Sequence, residues 1–223
     1  MKFSPGEGSA ELARNVRDQD AQIGLHEWDT EIKGKQIGEL EQQATTDPWT
    51  GLDNVRSFQD KLEQTLRMVR ESKKVPEEHR RESQKVLALV SLDIDRFKSI
   101  NDTLGHAAGD EVLRRFAKLL RESVRGSDSV ARVGGEEFMV IMPGANTESA
   151  ARHADELRKK VQSLVFDAYP NLKVTASFGV VSSAASEDPG TLRGYVDKAL
   201  YDAKNGRNRV VVYEGENKKN VAA

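Results

Sequence analysis

The sequence predicts an α/β fold, and three observations carry that prediction. Apolar stripes at helical spacing alternate with short apolar runs of strand length along most of the chain. One run, Val86-Leu87-Ala88-Leu89-Val90-Ser91-Leu92, is almost wholly apolar, as expected of a strand buried on both faces of a sheet. It ends in Asp93-Ile94-Asp95, and open α/β sheets place their ligand sites where strands leave the sheet.

The elements follow in order. In residues 1–45, Leu12, Val16, Ile23, Trp28, Ile32, Ile37, Leu40 and Ala44 recur at roughly helical spacing among many charges, interrupted by Gly24, Gly34 and Gly38. We expect an N-terminal helical arm here, or a partly disordered leader; the glycines argue against one rigid coiled coil. Val55, Phe58, Leu62, Leu66 and Val69 stripe a first helix, and a charged stretch, Arg70 to Lys85, leads to the apolar strand. Val112, Leu113, Phe116, Leu120 and Val124 mark the next helix. Val130 to Val133 and Phe138 to Met142 read as the two strands of a hairpin around Gly134-Gly135-Glu136-Glu137. Glycines permit a sharp turn and close approach of a ligand. Ala150, Ala154, Leu157, Val161 and Leu164 stripe a third helix, and Leu172, Val174, Ala176 and Phe178 alternate as a strand. Leu192, Val196, Ala199 and Ala203 mark the last helix, Val210 to Tyr213 a closing strand, and residues 214–223 a frayed tail.

Two carboxylate positions stand out. Asp93 leaves a central strand and Glu136 sits at the tip of the hairpin. Hard cations such as Mg²⁺ take oxygen ligands, typically one or two carboxylates plus substrate phosphates. The pair therefore reads as a divalent-metal site, against the plainer alternatives of solvated turn acids and helix caps.

With these residues in view, the chain resembles the GGDEF family of diguanylate cyclases over roughly Thr46 to Tyr213. The resemblance rests on Asp47-Pro48-Trp49-Thr50-Gly51-Leu52-Asp53-Asn54, in which Trp49 stands where Leu is usual, and on Asp93-Ile94-Asp95-Arg96-Phe97-Lys98-Ser99-Ile100-Asn101-Asp102. It continues through Gly105-His106, Gly109-Asp110-Glu111-Val112-Leu113, the signature in its Gly-Gly-Glu-Glu-Phe form, Ser177-Phe178-Gly179-Val180, and Ala199 to Asn208. The resemblance implies a palm-like nucleotide-cyclase fold, a central mixed sheet flanked by helices, in residues 46–213. It implies condensation of two GTP molecules into cyclic di-GMP with release of pyrophosphate, in a homodimer whose protomers each present one GTP.

Site residues follow from the same resemblance. Asp93, Glu136 and the Ile94 carbonyl would hold Mg²⁺, with Mn²⁺ as a substitute. Glu137 would either share a second metal or help remove the hydroxyl proton. Gly134 and Gly135 form the turn, and the backbone amides around Phe97 and Lys98 would cradle the β- and γ-phosphates at a helix N-terminus. Lys204 and Arg207 match a phosphate-contacting pair, although one residue fewer separates them than is usual, which rotates a helical side chain by about 100°. Asp110 and Asn101 would read guanine, with His106 close by on the Asp110 helix. Arg125 and Asp128 match an Arg-x-x-Asp product-inhibition motif at its usual offset from the signature; Arg152 or Arg158 would complete it.

Composition sets outer bounds. A length of 223 residues suits one domain and an appendage, and a net charge of −2 argues against general nucleic-acid or membrane-surface affinity. The absence of cysteine excludes disulfides and thiolate metal sites. No apolar run reaches the length of a membrane span, so a cytoplasmic chain is expected, with the arm as the docking point for any protein partner. A non-catalytic receptor for cyclic di-GMP is the rival expectation, and loss of signature acids would have favoured it.

Overall fold

The computed structural model describes residues 45–76, 79, 85–214 and 217–222, the last group in backbone only. Contacts divide the chain into Met1–Ala44 and Thr45–Ala223, and the fold described is that of the second unit. The expected N-terminal arm and most of the charged stretch beyond Pro76 lie outside the described residues.

Helix α1, Val55–Ser72, starts at Asn54, whose side chain accepts from the Ser57 amide at 3.0 Å. Strand β1, Leu87–Ile94, is buried along its whole length, as its apolar sequence demands. Two helices follow at once, α2 (Phe97–Leu104) and α3 (His106–Ser123), joined by Gly105 at φ 84°. The hairpin of β2 (Ser129–Arg132) and β3 (Glu137–Pro143) comes next. Helix α4, Thr147–Gln162, is capped by Asn146, and β4 runs Ala176–Ser182. Helix α5, Pro189–Lys204, is capped by Asp188 and leads to β5, Val210–Glu214.

One sheet holds the strands in the order β2-β3-β1-β4-β5-β6, where β6 is Asn217–Ala222. Only the β4–β5 pair is parallel, so the sheet is mixed and β1 lies at its centre between two antiparallel neighbours. Where the sequence suggests a frayed tail, the backbone thus runs back along β5.

Alternation along β1 sorts the core into two layers. Ala88, Val90, Leu92 and Ile94 face α3 and α4, where Phe116 meets Phe138 with ring centroids 4.9 Å apart. Leu87 and Leu89 face the other way, onto Phe58, Leu62 and Leu66 of α1 and Leu192 and Val196 of α5. Asp93 continues this second set, which puts its side chain on the α5 side of the sheet. Helix α5 lies directly on β4: a Cβ on Gly179 would stand 2.5 Å from the Leu200 amide nitrogen and from the Val196 oxygen. That close approach brings the last turn of α5 over the end of β1.

Strand β4 begins at Ala176, four residues later than the alternation from Leu172 suggests. Val174 is buried and Leu172 packs against the core, which is why the pattern reads as a strand. The backbone there is used otherwise: the Leu172 amide closes a turn onto Tyr169, and the Thr175 carbonyl accepts from the Asp95 amide at 2.9 Å.

Candidate active site

The exit of β1 meets the tip of the β2–β3 hairpin. Asp93 pairs in register with Glu137, and the Ile94 amide donates to the Glu136 carbonyl at 3.2 Å. Asp93 is only 1% exposed. One of its oxygens accepts from Lys204 Nζ at 2.7 Å, while the other, Oδ1, is buried with no hydrogen-bond partner. A buried carboxylate oxygen without a donor is costly, so this atom is a strong candidate for a cation ligand.

The electrostatics agree. Burial pushes the Asp93 carboxyl above its ordinary range, with Lys204 opposing and Glu137 and Asp95 adding to the rise. Glu136 is raised too, first by burial and then by Asp93, with Lys204 again opposing. These acids crowd one another with a single lysine between them, the environment that a divalent cation relieves. Among the described residues no three Asp, Glu, His or Cys side chains form a ready-made cage. Mg²⁺ does not need one, because it keeps waters and shares substrate phosphates. The hard carboxylate oxygens of Asp93 and Glu136 fit such an ion. Glu137 lines a recess of about 360 Å³ with Arg193, Asp197 and Lys204.

Neither signature glycine has a positive φ; among the described glycines only Gly51, Gly105 and Gly144 do. A Cβ on Gly134 would lie 2.7 Å from Glu137 Oε2. The tip is instead held by Arg132, which donates to the Gly134 carbonyl at 3.2 Å and through Nη2 to the Gly135 carbonyl at 2.7 Å. Arg132 also pairs with Asp47 at 3.4 Å, tying the hairpin to the Asp47–Asn54 turn. Sequence reasoning missed this clamp, and only the arginine beside the signature could have hinted at it.

Asp95 is a second hub. It accepts from Thr175 Oγ1 at 2.6 Å, Ser177 Oγ at 2.7 Å and the Asn208 amide at 2.9 Å. Immediately after it, Arg96 adopts φ 57° and α2 starts with no side-chain cap, so its first amides, including those of Phe97 and Lys98, are left for an outside acceptor. The Phe97 ring is buried, whereas Lys98 is exposed.

Asn101 meets the backbone of Gly109, the residue before Asp110, across the α2–α3 corner. A Cβ on Gly109 would fall 1.9 Å from Asn101 Oδ1, so the amide packs against bare backbone beside Asp110. His106 opens α3 and is exposed. Helix α5 ends at Lys204, and Arg207 and Asn208 follow with φ 61° and 46°. The shortened segment therefore separates its two cations: Lys204 reaches Asp93, and Arg207 turns toward a cavity beside Asp95 and Arg96.

Arg125 and Asp128 lie at the other end of β2 from the signature. Asp128 Oδ2 accepts from the Arg125 amide at 3.0 Å, closing a turn that leaves the guanidinium exposed. Arg152 and Arg158 are engaged elsewhere, Arg152 with Glu148 at 2.6 Å and Arg158 with Asp155 at 2.8 Å. The residue of α4 that feels both Asp128 and Arg125 is His153, which sequence reasoning did not single out.

Residues 44–209 match the family model described as "Diguanylate cyclase, GGDEF domain". The chain belongs to the GGDEF family. Diguanylate cyclase DgcP of Pseudomonas aeruginosa is 34% identical over 208 residues, covering 92% of this chain and 29% of that protein. Diguanylate cyclase A of Treponema denticola is 42% identical over 135 residues, 59% of this chain and 36% of the relative. This chain thus spans about a third of the length of these relatives. Among solved structures, the coiled coil and GGDEF domain of DgcB from Caulobacter crescentus, in complex with c-di-GMP, superposes with a TM-score of 0.72 at 28% identity, covering 90% of this chain and 98% of that one. The active GGEEF domain of a Vibrio cholerae diguanylate cyclase gives 0.60 at 32% identity, covering 70% and 97%. The expected palm-like mixed sheet agrees with these neighbours. No helix among the described residues is long and apolar enough to cross a membrane.

Proposed function

We propose that this protein is a Mg²⁺-dependent diguanylate cyclase that joins two GTP molecules into cyclic di-GMP as a homodimer. The observation that carries the reading is the buried, unpartnered Asp93 Oδ1 beside Glu136 and Lys204, and the contact of Asn101 with the Gly109 backbone next to Asp110 supports it. In this reading the 3′-hydroxyl of one GTP attacks the α-phosphorus of the other, and pyrophosphate leaves; a second, equivalent step closes the ring.

Each residue group has a task. Asp110 accepts from guanine N1–H and N2–H, and the Asn101 amide bonds N3 and N2, which selects GTP over ATP. The amides of Phe97 and Lys98 hold the β- and γ-phosphates. Lys204 neutralises phosphate charge once substrate draws it from Asp93, and Arg207 adds charge at the phosphate end. Glu137, paired in register with Asp93, either shares a second metal or helps remove the hydroxyl proton. Magnesium held by Asp93, Glu136 and the Ile94 carbonyl would supply charge neutralisation on the triphosphate. Mn²⁺ has the same oxygen chemistry and should substitute.

Arg125 and Asp128 are proposed as the product-inhibition site, with an exposed planar donor fork suited to phosphate or the guanine Hoogsteen edge. Dimerisation through the N-terminal residues, with that segment as the docking point for a protein partner, completes the proposal. Purified protein incubated with GTP and Mg²⁺ should yield cyclic di-GMP by chromatography, and Glu136→Ala should yield none. Equal turnover by Glu136→Ala would remove the metal pair from the mechanism.

A further inference from the structure

A cavity of about 660 Å³ opens on the far side of α2. Its size lies within the range of small-molecule sites, roughly 300–1,000 Å³. Its α2 wall comprises Ser99, Ile100, Thr103 and Leu104. At about 100° per residue, the centre of that face lies roughly 130° around the helix from Asn101 and roughly 170° from Lys98. The α2 wall of the cavity therefore faces away from Asn101, the residue of this helix assigned to guanine, while Arg207, assigned to the phosphate end, reaches the cavity from the other side.

The lining divides by chemistry. Tyr169, Leu172, Ile100 and Leu104 supply an apolar part of the lining. Around them stand three cations, Arg96, Lys173 and Arg207, and none of these side chains makes an ion pair or hydrogen bond among the described residues. The one lining acid, Asp95, is taken up by Thr175, Ser177 and the Asn208 amide. The cavity thus combines an apolar patch with uncompensated positive charge. Both lining arginines, Arg96 and Arg207, extend from left-handed backbone, at φ 57° and 61°, a conformation uncommon in such residues.

We propose that this cavity is a second small-molecule site and that it takes an aromatic anion. The flat body would sit against Tyr169, Leu172, Ile100 and Leu104, with its carboxylate, sulfonate or phosphate at Arg96, Lys173 and Arg207. The site shares Arg207 with the proposed phosphate contacts and has Arg96 and Lys173 to itself, and its test is a binding measurement that does not need turnover.

The full chain is titrated with anilinonaphthalene sulfonate, followed by fluorescence and calorimetry. One saturable site per chain is expected. Lys173→Glu should weaken binding by about tenfold or more, the loss of one charge-assisted contact. Thr103→Trp should fill the cavity and abolish binding. Both positions are exposed, so both variants should melt as wild type does. A non-reactive GTP analogue at saturation should leave the stoichiometry unchanged. The proposal is overturned by an absence of saturable binding, by equal binding in both variants, or by complete displacement by the analogue.

Discussion

Gly109 offers a clean separation of substrate recognition from stability. In Gly109→Ala the new Cβ would lie 1.9 Å from Asn101 Oδ1, 2.9 Å from Asn101 Cγ and 3.2 Å from Phe97 Cζ. The first distance is more than 1 Å inside normal contact, roughly 3.2 Å for carbon against oxygen, so the amide must swing away. The obstacle is the end of a flexible side chain, and alanine favours the helix by about 0.5–1 kcal/mol, so the fold should tolerate the change. Removing one amide from the guanine contact should cost about 1–2 kcal/mol, a drop of roughly 5- to 30-fold in kcat/KM for GTP. Steady-state product formation gives the kinetic number and a thermal melt the structural one. Gly179→Ala is the contrast, because its Cβ would meet backbone atoms of α5 at 2.5 Å; it should cost about 2–3 kcal/mol of stability. Wild-type kcat/KM in a folded Gly109→Ala protein would refute the role given to Asn101.

Other perturbations test separate parts of the account. Lys204→Met leaves Asp93 buried without its partner and should lower stability by about 1–3 kcal/mol, less than for a fully buried pair because the lysine is 43% exposed; saturating Mg²⁺ should restore much of the melting temperature, and a melt insensitive to the ion would count against the site. Arg125→Ala should relieve inhibition by cyclic di-GMP while leaving the initial rate unchanged, as progress curves with added product will report. Burial holds His153 below its ordinary pKa of 6.5, with Glu156 and Asp128 opposing and Lys160 and Arg125 reinforcing. The unfolded chain therefore takes up the proton first as pH falls, and stability present above about pH 6.5 is lost below it. His153→Gln should flatten the melting temperature between pH 7 and 5, and an unchanged slope would show that the histidine is not responsible. Deleting residues 1–44 should reduce specific activity at dilute protein concentration, and full activity there would assign that segment another purpose.

Local chemistry made much of this fold legible. The apolar run before Asp93 is the doubly covered strand it reads as, and within the described residues the helix stripes and hairpin fell where periodicity put them. Features that depend on distant residues were opaque. Leu172 and Val174 alternate like a strand because both pack against the core, yet the backbone there serves a turn and, through Thr175, Asp95. Arg132 clamps the hairpin tip through carbonyl groups, which no spacing encodes. The exclusive use of Lys204 by Asp93, and the turn of Arg207 toward another cavity, follow from where α5 stops. The signature glycines looked like conformational residues, whereas neither has a positive φ and the tip is held by Arg132.

The most direct test is a manganese titration by paramagnetic resonance in the presence of a non-reactive GTP analogue. Wild-type protein should take up the ion tightly, while Asp93→Ala and Glu136→Ala should each lose about a hundredfold in affinity or more. Uptake by both variants indistinguishable from wild type would contradict the assignment of these two carboxylates to one cation.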